Sequence, residues 1–368
     1  MQEIFLSNKN KKTILALGAE SAGNFSVFNN GKIYFSDNFG DILDEKNFKN
    51  FQKAVLDFLK KNKLRPNVIL TDLHLLYKTT TWGAELAKKF SAKHVQVQHH
   101  IAHIFSAVGE KMVNLKSQPP NSFFGVALDG TGYGSDGKIW GGEVFQISNL
   151  CIKRIGHLEN QIMIGGDLAV KEPARMIVSI LSKFLKREEI YKYVKKYYTR
   201  KQFELLYNQL QNNFNCVETS STGRVLDAVS ILLGFCDNKR NYKHEPIDLL
   251  EKNSGIPYTD LNPKIKKLAT GYCLLTTNLF KYLIKNLHRD KRRLTAIVQF
   301  YIARGLYEII KVSNHEFQIY FAGGLANNKI ISNFLISKKA ITNKKVPRGD
   351  AGLSFGQIIY YLSTNPRN

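Results

Sequence analysis

Apolar and polar residues alternate along this chain in two registers, and the changes of register mark out its elements. TILALGAESAGNFSVFNNGKIYFSD reads as strand, turn, strand, a tight turn at Asn30–Gly31 and a third strand. NFKNFQKAVLDFLKKNKL takes helical spacing, with Phe51, Val55, Phe58 and Leu59 apolar. PNVILTDLH predicts a buried strand and TTTWGAELAKKF a helix with threonines as N-caps. HVQVQ predicts a short strand that delivers two histidines to a helix running through about Val108. The paired prolines of KSQPPNS mark the crossing into a second lobe.

FFGVALDGTGYGSDGKIWGGEVFQI repeats the opening plan, with an apolar strand, a glycine loop, a turn at Asp136–Gly137 and another strand. Both copies carry Gly-Lys-Ile after the turn, at 31–33 and 137–139. From about Ala169 to Leu287 the pattern is mostly helical, and residues 183–214 look like a helical insertion. TAIVQFYIARGLYEII is an amphipathic helix, and FQIYFAGGLANN a strand ending in a glycine turn. Two β-meanders, each followed by alternating helices and strands, predict an α/β fold of two duplicated ribonuclease-H-like lobes. That is the superfold of actin, sugar kinases and heat-shock ATPases, which binds nucleotide between its lobes. The expected lobes are 1–118 and 119–368, the second with a helical insertion over about 169–290.

Composition narrows the picture. A chain of 368 residues buries a substantial core, and no apolar run reaches the roughly 18 residues that span a bilayer. MQEIFLSNKNKK lacks the pattern of a signal peptide. Cys151, Cys216, Cys236 and Cys273 are far apart with no CxxC pair, which suits a reducing cytoplasm and buried, unpaired thiols. The net charge of +23 would attract nucleic acid or an acidic protein. Its lysines are spread through a chain rich in Asn, Ile and Tyr, as a coding bias spreads them. The densest basic stretches, Lys183–Lys201 and Arg289–Arg293, fall on helices without regularly interleaved aromatics, so specific nucleic-acid binding is not favoured.

The chemistry-bearing residues cluster in short motifs. In VQVQHHIAHI, His99 and His103 are one turn apart on one helix face, where two imidazoles can share a cation. Such a pair is more often solvated or packed in a core. His100 between them points to another face, as a helix-start residue or a support behind the ligands. Asp129 heads the glycine-rich segment Gly130, Thr131, Gly132 and Gly134, whose backbone N–H groups could face phosphate, the plainer reading being a tight turn. Asp350 is an isolated acid in VPRGDAGLSFGQ, and both aspartates offer hard oxygen ligands. In SSTGRVLDAVSILLGF, Gly223 permits close approach of a nucleotide and Asp227 could accept from ribose hydroxyls, or else be an ordinary helical acid. Gly323 and Gly324 follow an apolar strand, where backbone can lie against a purine.

The order HHIAH, LDGTGYGSDGKIWGGE, GGDLAVKEPARM, SSTGRVLDAVSILLGF, FAGGLANNKIISN and VPRGDAGLSFGQ resembles the C-terminal catalytic domain of the hydrogenase-maturation carbamoyltransferase HypF, from about Ile14 to Gln357. That domain is related to tRNA threonylcarbamoyltransferases and antibiotic O-carbamoyltransferases. The resemblance implies a divalent metal, iron or zinc, held by His99, His103, Asp129 and Asp350, and an adenine nucleotide near Gly223, Asp227, Gly324 and Asn328. It implies that Asp167, Lys171, Glu172 and Arg175 line the acceptor side, with Arg175 holding a carbamoyl or phosphate oxygen unless it is a surface ion pair. Asp129 and Arg175 are then the expected catalytic residues. The activity implied is carbamoyl transfer from carbamoyl-adenylate to the C-terminal cysteine of a HypE-like protein. The rival readings are a tRNA-modifying enzyme and a non-catalytic nucleotide-binding scaffold.

Departures from the family pattern qualify this. Lys243 replaces an acid after Tyr242, Ala22 replaces a lysine, DLHPDY is DLHLLY at 72–77, and Arg348–Gly349 alter the neighbours of Asp350. No acylphosphatase, CxxC zinc or YrdC-like segment is recognisable here. A separate YrdC-like protein is therefore the expected source of carbamoyl-adenylate.

Overall fold

The computed structural model describes residues 1–6, 8, 10–115, 117–149, 151–313 and 318–365. In the first part, β1 (Gln2–Phe5), β2 (Ile14–Ala16), β3 (Ser26–Asn29) and β4 (Lys32–Phe35) precede α1 (Glu45–Lys61), β5 (Val68–Asp72), α2 (Lys78–Phe90), β6 (Lys93–Val97) and α3 (His99–Leu115). They build a sheet of order β1-β4-β3-β2-β5-β6, with β2, β3 and β4 antiparallel and β2, β5 and β6 parallel. Asn30 and Gly31 both take positive φ, the left-handed geometry of a two-residue hairpin turn. α1 buries Phe51, Val55 and Leu59 at helical spacing, and Asp44 caps it by accepting from the Asn47 amide at 3.0 Å.

The second part opens with β7 (Ser122–Tyr133), β8 (Ile139–Ser148), β9 (Cys151–Leu158) and β10 (Gln161–Ile164). A mainly helical run follows: α4 (Leu168–Lys171), α5 (Ala174–Leu181), α6 (Arg187–Val194), α7 (Arg200–Gln211), β11 (Cys216–Thr219), α8 (Thr222–Leu233) and α9 (Glu245–Lys252). The chain ends with β12 (Ile265–Leu268), β13 (Gly271–Leu274), α10 (Thr276–Asn286), α11 (Lys291–Ser313), β14 (Ile319–Ala322), α12 (Lys329–Ser337) and α13 (Leu353–Thr364). β7, β8 and β9 form an antiparallel meander, β14 runs parallel beside β7, and a parallel bridge from Tyr320 to Ile341 extends that edge. The order β9-β8-β7-β14 repeats β4-β3-β2-β5, so the protein is an α/β fold with two mixed sheets of one ribonuclease-H-like plan.

Several expectations need correcting. The two Gly-Lys-Ile segments are not equivalent: Gly31 joins the second and third strands of its meander, whereas Gly137 joins the first and second. The segment DGTGY is not a free loop but the end of β7, bulged between Leu128 and Gly132. α2 starts at Lys78 after Tyr77, with no threonine cap. The run expected to be helical also supplies β11, β12 and β13, which widen the second sheet. Cys236 and Cys273 are buried thiols as expected, but Cys151 is exposed.

The two sheets are tied by exchanged helices. α3 packs on β7 and β14 of the second sheet, α13 packs on β2, β3 and β5 of the first, and the two helices run against each other. Their contact requires glycine. A Cβ on Gly356 would sit 1.8 Å from the Ala102 carbonyl oxygen, and one on Gly109 would sit 2.4 Å from Ile359. This approach fixes the start of α3, with its histidines, against the segment just before α13, with Asp350.

Candidate metal centre and cleft

The first turn of α3 presents His99 and His103 on one face, the bulge of β7 carries Asp129, and a 3-10 turn at Asp350–Gly352 carries Asp350. The four side chains converge, one ligand atom from each, within 4.8 Å. His99 Nε2 lies 3.1 Å from Asp129 Oδ2 and 3.6 Å from Asp350 Oδ1. His103 Nε2 lies 3.7 Å from Asp129 Oδ2, 3.3 Å from Asp350 Oδ1 and 3.2 Å from His99 Nε2. A tetrahedral ion with bonds of about 2.0–2.1 Å spaces its ligand atoms roughly 3.3 Å apart. Five of the six edges fall close to that spacing, so the cluster fits a cation of zinc or iron size by both geometry and donor type.

The surroundings orient the cluster. Asp72, buried at the end of β5, faces His99 Nδ1 at 2.6 Å, and its other oxygen accepts from the His74 amide at 3.0 Å. This contact aims His99 Nε2 at the cluster, as a carboxylate behind a liganding imidazole does. Ser21 donates to Asp350. Burial alone would depress the imidazolium of His99, but the carboxylates of Asp72, Asp129 and Asp350 hold its pKa well above the ordinary value. His103 is raised in the same way against its burial, by Asp129 and Asp350. Burial would raise Asp129 and Asp350, yet the two imidazoles keep both carboxyls well below the carboxylate range. His100 lies outside the cluster: it is buried, contacts Gln98 at 3.0 Å, and is pushed well down by burial and the neighbouring His99.

Asp129 and Asp350 form one end of a cleft of about 480 Å³. Gly130, Thr131, Gly324 and Asn328 line it, and Arg224, Arg240 and Lys243 supply a cationic wall with the acids Asp248 and Glu251 beside it. The remaining expected residues fall elsewhere. Gly132 is filled against by imidazoles, since a Cβ there would meet His100 at 2.4 Å. Gly223 lets α8 touch β7, with a Cβ only 2.8 Å from Gly130 Cα. Gly323, at φ 109°, presses on Leu128, whose carbonyl oxygen would lie 2.2 Å from a Cβ. Asp227 does not line the cleft. It is buried, and its Oδ2 takes Arg224 Nε at 2.7 Å, Arg224 Nη2 at 2.6 Å and Arg240. Through that oxygen it holds two cleft-lining guanidiniums, while its Oδ1 has no hydrogen-bond partner among the described residues. Arg175 pairs with Glu172 at 2.8 Å and faces a neighbouring cavity, while only Val170 of its segment reaches the cleft. Asn328 caps α12 and donates to Gln299 at 2.6 Å, so part of its hydrogen-bonding capacity is structural.

Sequence reasoning missed Asp72, Ser21, Arg224 and Arg240. An aspartate closing the apolar run VILTD was the available signal for Asp72. Arg240 had none, because its partner is reached only through the fold.

Paired sheets of one plan, with a buried His₂Asp₂ cluster opening onto a cationic cleft, define a Kae1-like domain. The family profile described as "Carbamoyltransferase, Kae1-like Domain, second subdomain" matches residues 125–357, and that of the "HypF Kae1-like domain" matches 9–110. The chain belongs to the HypF carbamoyltransferase family, as its Kae1-like domain. It is 37% identical to the probable carbamoyltransferase HypF of Methanocaldococcus jannaschii, over 97% of this chain and 47% of that protein. It is 32% identical to carbamoyltransferase HypF2 of Cupriavidus necator, over 96% and 47%. The chain thus spans about half the length of the curated relatives it matches. The T. kodakarensis HypF crystal structure superposes with a TM-score of 0.86 at 28% identity, over 98% of this chain and 49% of that one. Full-length HypF in a phosphate- and nucleotide-bound form shares the fold, with a TM-score of 0.89 at 24% identity over 100% and 57%. Among the described residues no helix is long and apolar enough to cross a membrane.

Proposed function

We propose that this chain performs the transfer half of HypF chemistry, moving a carbamoyl group from carbamoyl-adenylate to the C-terminal cysteine of a HypE-like acceptor. The observation that carries this reading is the opening of the His₂Asp₂ cluster onto the cleft through its two aspartates. The divalent cation is held by His99, His103, Asp129 and Asp350, and when bound it supplies Lewis-acid stabilisation of charge on carbamoyl and phosphate oxygens. Asp72 holds His99 in the orientation this needs. Arg224 and Arg240, fixed by Asp227, bind the anionic phosphate, while Gly130 and Gly324 let it approach the backbone. The acceptor thiolate attacks the carbamoyl carbon. A C–S bond forms as the bond to the phosphate oxygen breaks, and AMP departs with that electron pair. No side chain of the cleft has to become a covalent nucleophile.

The adenylate comes from a YrdC-like adenylate-forming unit, and the reactive intermediate passes to this cleft. The test supplies ATP, carbamoyl phosphate and a HypE-like protein, with and without a YrdC-like protein, and reads the acceptor by mass spectrometry. A carbamoyl adduct dependent on the YrdC-like protein is expected. Adduct from this chain alone would refute the division of labour. No adduct with any adenylate source would favour the scaffold reading. The net charge of +23 favours tRNA as the rival acceptor, which the same assay tests with tRNA in place of the protein.

A further inference from the structure

Beside the cleft lies a second, larger cavity of about 820 Å³ that the transfer chemistry does not use. The two hollows share walls: Val170 and Arg240 line the cleft, and their chain neighbours Lys171 and Lys239 line the second cavity. Two of its cations are already matched, Arg175 by Glu172 at 2.8 Å and Lys196 by Asp237 at 3.1 Å. Lys171 and Lys239 form no ion pair among the described residues, so the cavity carries two uncompensated positive charges where it adjoins the cleft. Away from the cleft it runs along α7 into a shallower trough through Leu205 and Gln209 to Phe214.

The character of that trough identifies what fits it. α7 buries Phe203 and Leu206, yet leaves Leu205 64% exposed, and Phe214 beyond it is 72% exposed. Among the described residues, Gln202 uses its Oε1 on Thr199 and leaves its amide N–H groups free, while Gln209 donates to the Phe214 carbonyl at 3.0 Å and leaves its Oε1 free. A free donor and a free acceptor along an apolar strip are what successive peptide groups require. A nucleic acid would call for cations and stacking rings spaced along the whole track. Here the two unpaired cations and the rings of Tyr197 and Tyr198 line only the cavity, and the trough beyond it offers aliphatic and amide groups up to Phe214.

We propose that this trough is the docking track for an extended acidic and apolar segment of the acceptor protein. Its carboxylates meet Lys171 and Lys239, its apolar side chains cover Leu205 and Phe214, and its free end passes the Val170–Arg240 wall into the cleft. The inference rests on the reading of this chain as a transferase to a protein acceptor, and it assigns the recognition step to the helical region.

The experiment measures binding of a fluorescently labelled HypE-like protein by anisotropy, with no carbamoyl donor present. Leu205→Asp and the double variant Leu205→Asp/Lys239→Glu are compared with the unaltered chain. The double variant should weaken acceptor binding by about tenfold or more. AMP affinity by calorimetry should be unchanged, and in the coupled assay KM for the acceptor should rise with kcat preserved. The single Leu205→Asp change, on an exposed side chain, keeps the test decisive if the double variant folds poorly. Acceptor that binds and is carbamoylated equally well by all variants overturns the track while leaving the transferase reading intact. Failure of the unaltered chain to bind or modify the acceptor overturns both. Loss of RNA binding in the variants, with acceptor binding kept, would assign the trough to nucleic acid and also overturn the proposal.

Discussion

The two ends of the cleft are built from aspartates that do opposite jobs. At the metal end, Asp129 and Asp350 face two imidazoles across a gap the size of a cation. At the other end, Asp227 holds Arg224 and Arg240 through its Oδ2, and these guanidiniums line the cleft. One carboxylate pair is arranged to receive a cation, and the other carboxylate to present cations to an anion. A phosphate-bearing substrate of a metal-assisted reaction needs both, and the cleft sets them facing the same space.

Removing a ligand at the metal end should have the largest effect. His103→Ala deletes one of four donor atoms and leaves a small cavity in α3. Bound metal should be lost and transfer abolished, while circular dichroism keeps its helical signal. Metal content by elemental analysis equal to that of the unaltered chain would break the comparison at its anionic end.

The contrast also explains what could be read from the chain. His99 and His103 were legible because helical spacing alone places them together. Asp129 and Asp350 were legible only through their motifs, since they lie 221 positions apart and come together only through the pairing of β14 with β7 and the bond from the Gly323 amide to the Arg348 carbonyl. The strand plan was legible from alternation. The Gly-Lys-Ile repeat misled, because identical turns can serve different hairpins. The pairing of Asp227 with Arg240 was not legible, because a loop arginine leaves no periodic trace. Asp72 is legible once a reader asks why an acid ends a fully buried strand.

At the cationic end the next largest effect is on folding. Asp227→Ala leaves two guanidiniums without their buried partner, which should cost about 3–5 kcal/mol by urea denaturation. AMP binding should weaken with it, because Arg224 and Arg240 lose their anchor. Nucleotide binding lost without any change in stability would mean that Asp227 touches ligand directly and that the two ends are less different than described.

Asp72→Asn tests whether the metal end depends on its support. The amide keeps the shape but not the charge behind His99, and metal affinity should fall about 10–100-fold. A chelator competition reads this directly. Unchanged affinity would show that the helix alone orients His99.

Acidity should separate the empty and loaded forms of the same end. The folded pKa of His99 and His103 lies above the ordinary 6.5. In the metal-free protein their contribution to stability is complete below that value and is lost as pH rises through the raised folded pKa. The carboxyls of Asp129 and Asp350 are depressed, so their contribution is present above about 4 and is lost only as pH falls through the lowered folded values. Metal requires the imidazole protons to leave, so its affinity should rise about tenfold per pH unit for each proton displaced, up to the raised pKa. Thermal melts of apo protein and metal competition between pH 5 and 8 should therefore slope in opposite directions. Parallel slopes would mean that the cluster binds no cation in place of its protons.

The smallest expected effect lies at Lys243, where the resemblance to HypF leads one to expect an acid. The residue is exposed, lines the cleft beside His244, and offers its carbonyl to Arg240 Nη1 at 2.7 Å. Its ammonium adds to a wall that already holds two guanidiniums, but it does so from solvent, where a surface charge contributes about 0.2–1 kcal/mol. Lys243→Glu places the expected acid there and reverses the charge without touching the backbone contact to Arg240. AMP affinity by calorimetry should fall about two- to fivefold at low salt, and the difference should shrink as the screening length drops below about 8 Å. A salt-independent loss would place Lys243 in direct contact with the nucleotide. Tighter binding by the Lys243→Glu variant would mean that the cationic wall is complete with Arg224 and Arg240, and that the lysine marks a cleft drifting away from transfer.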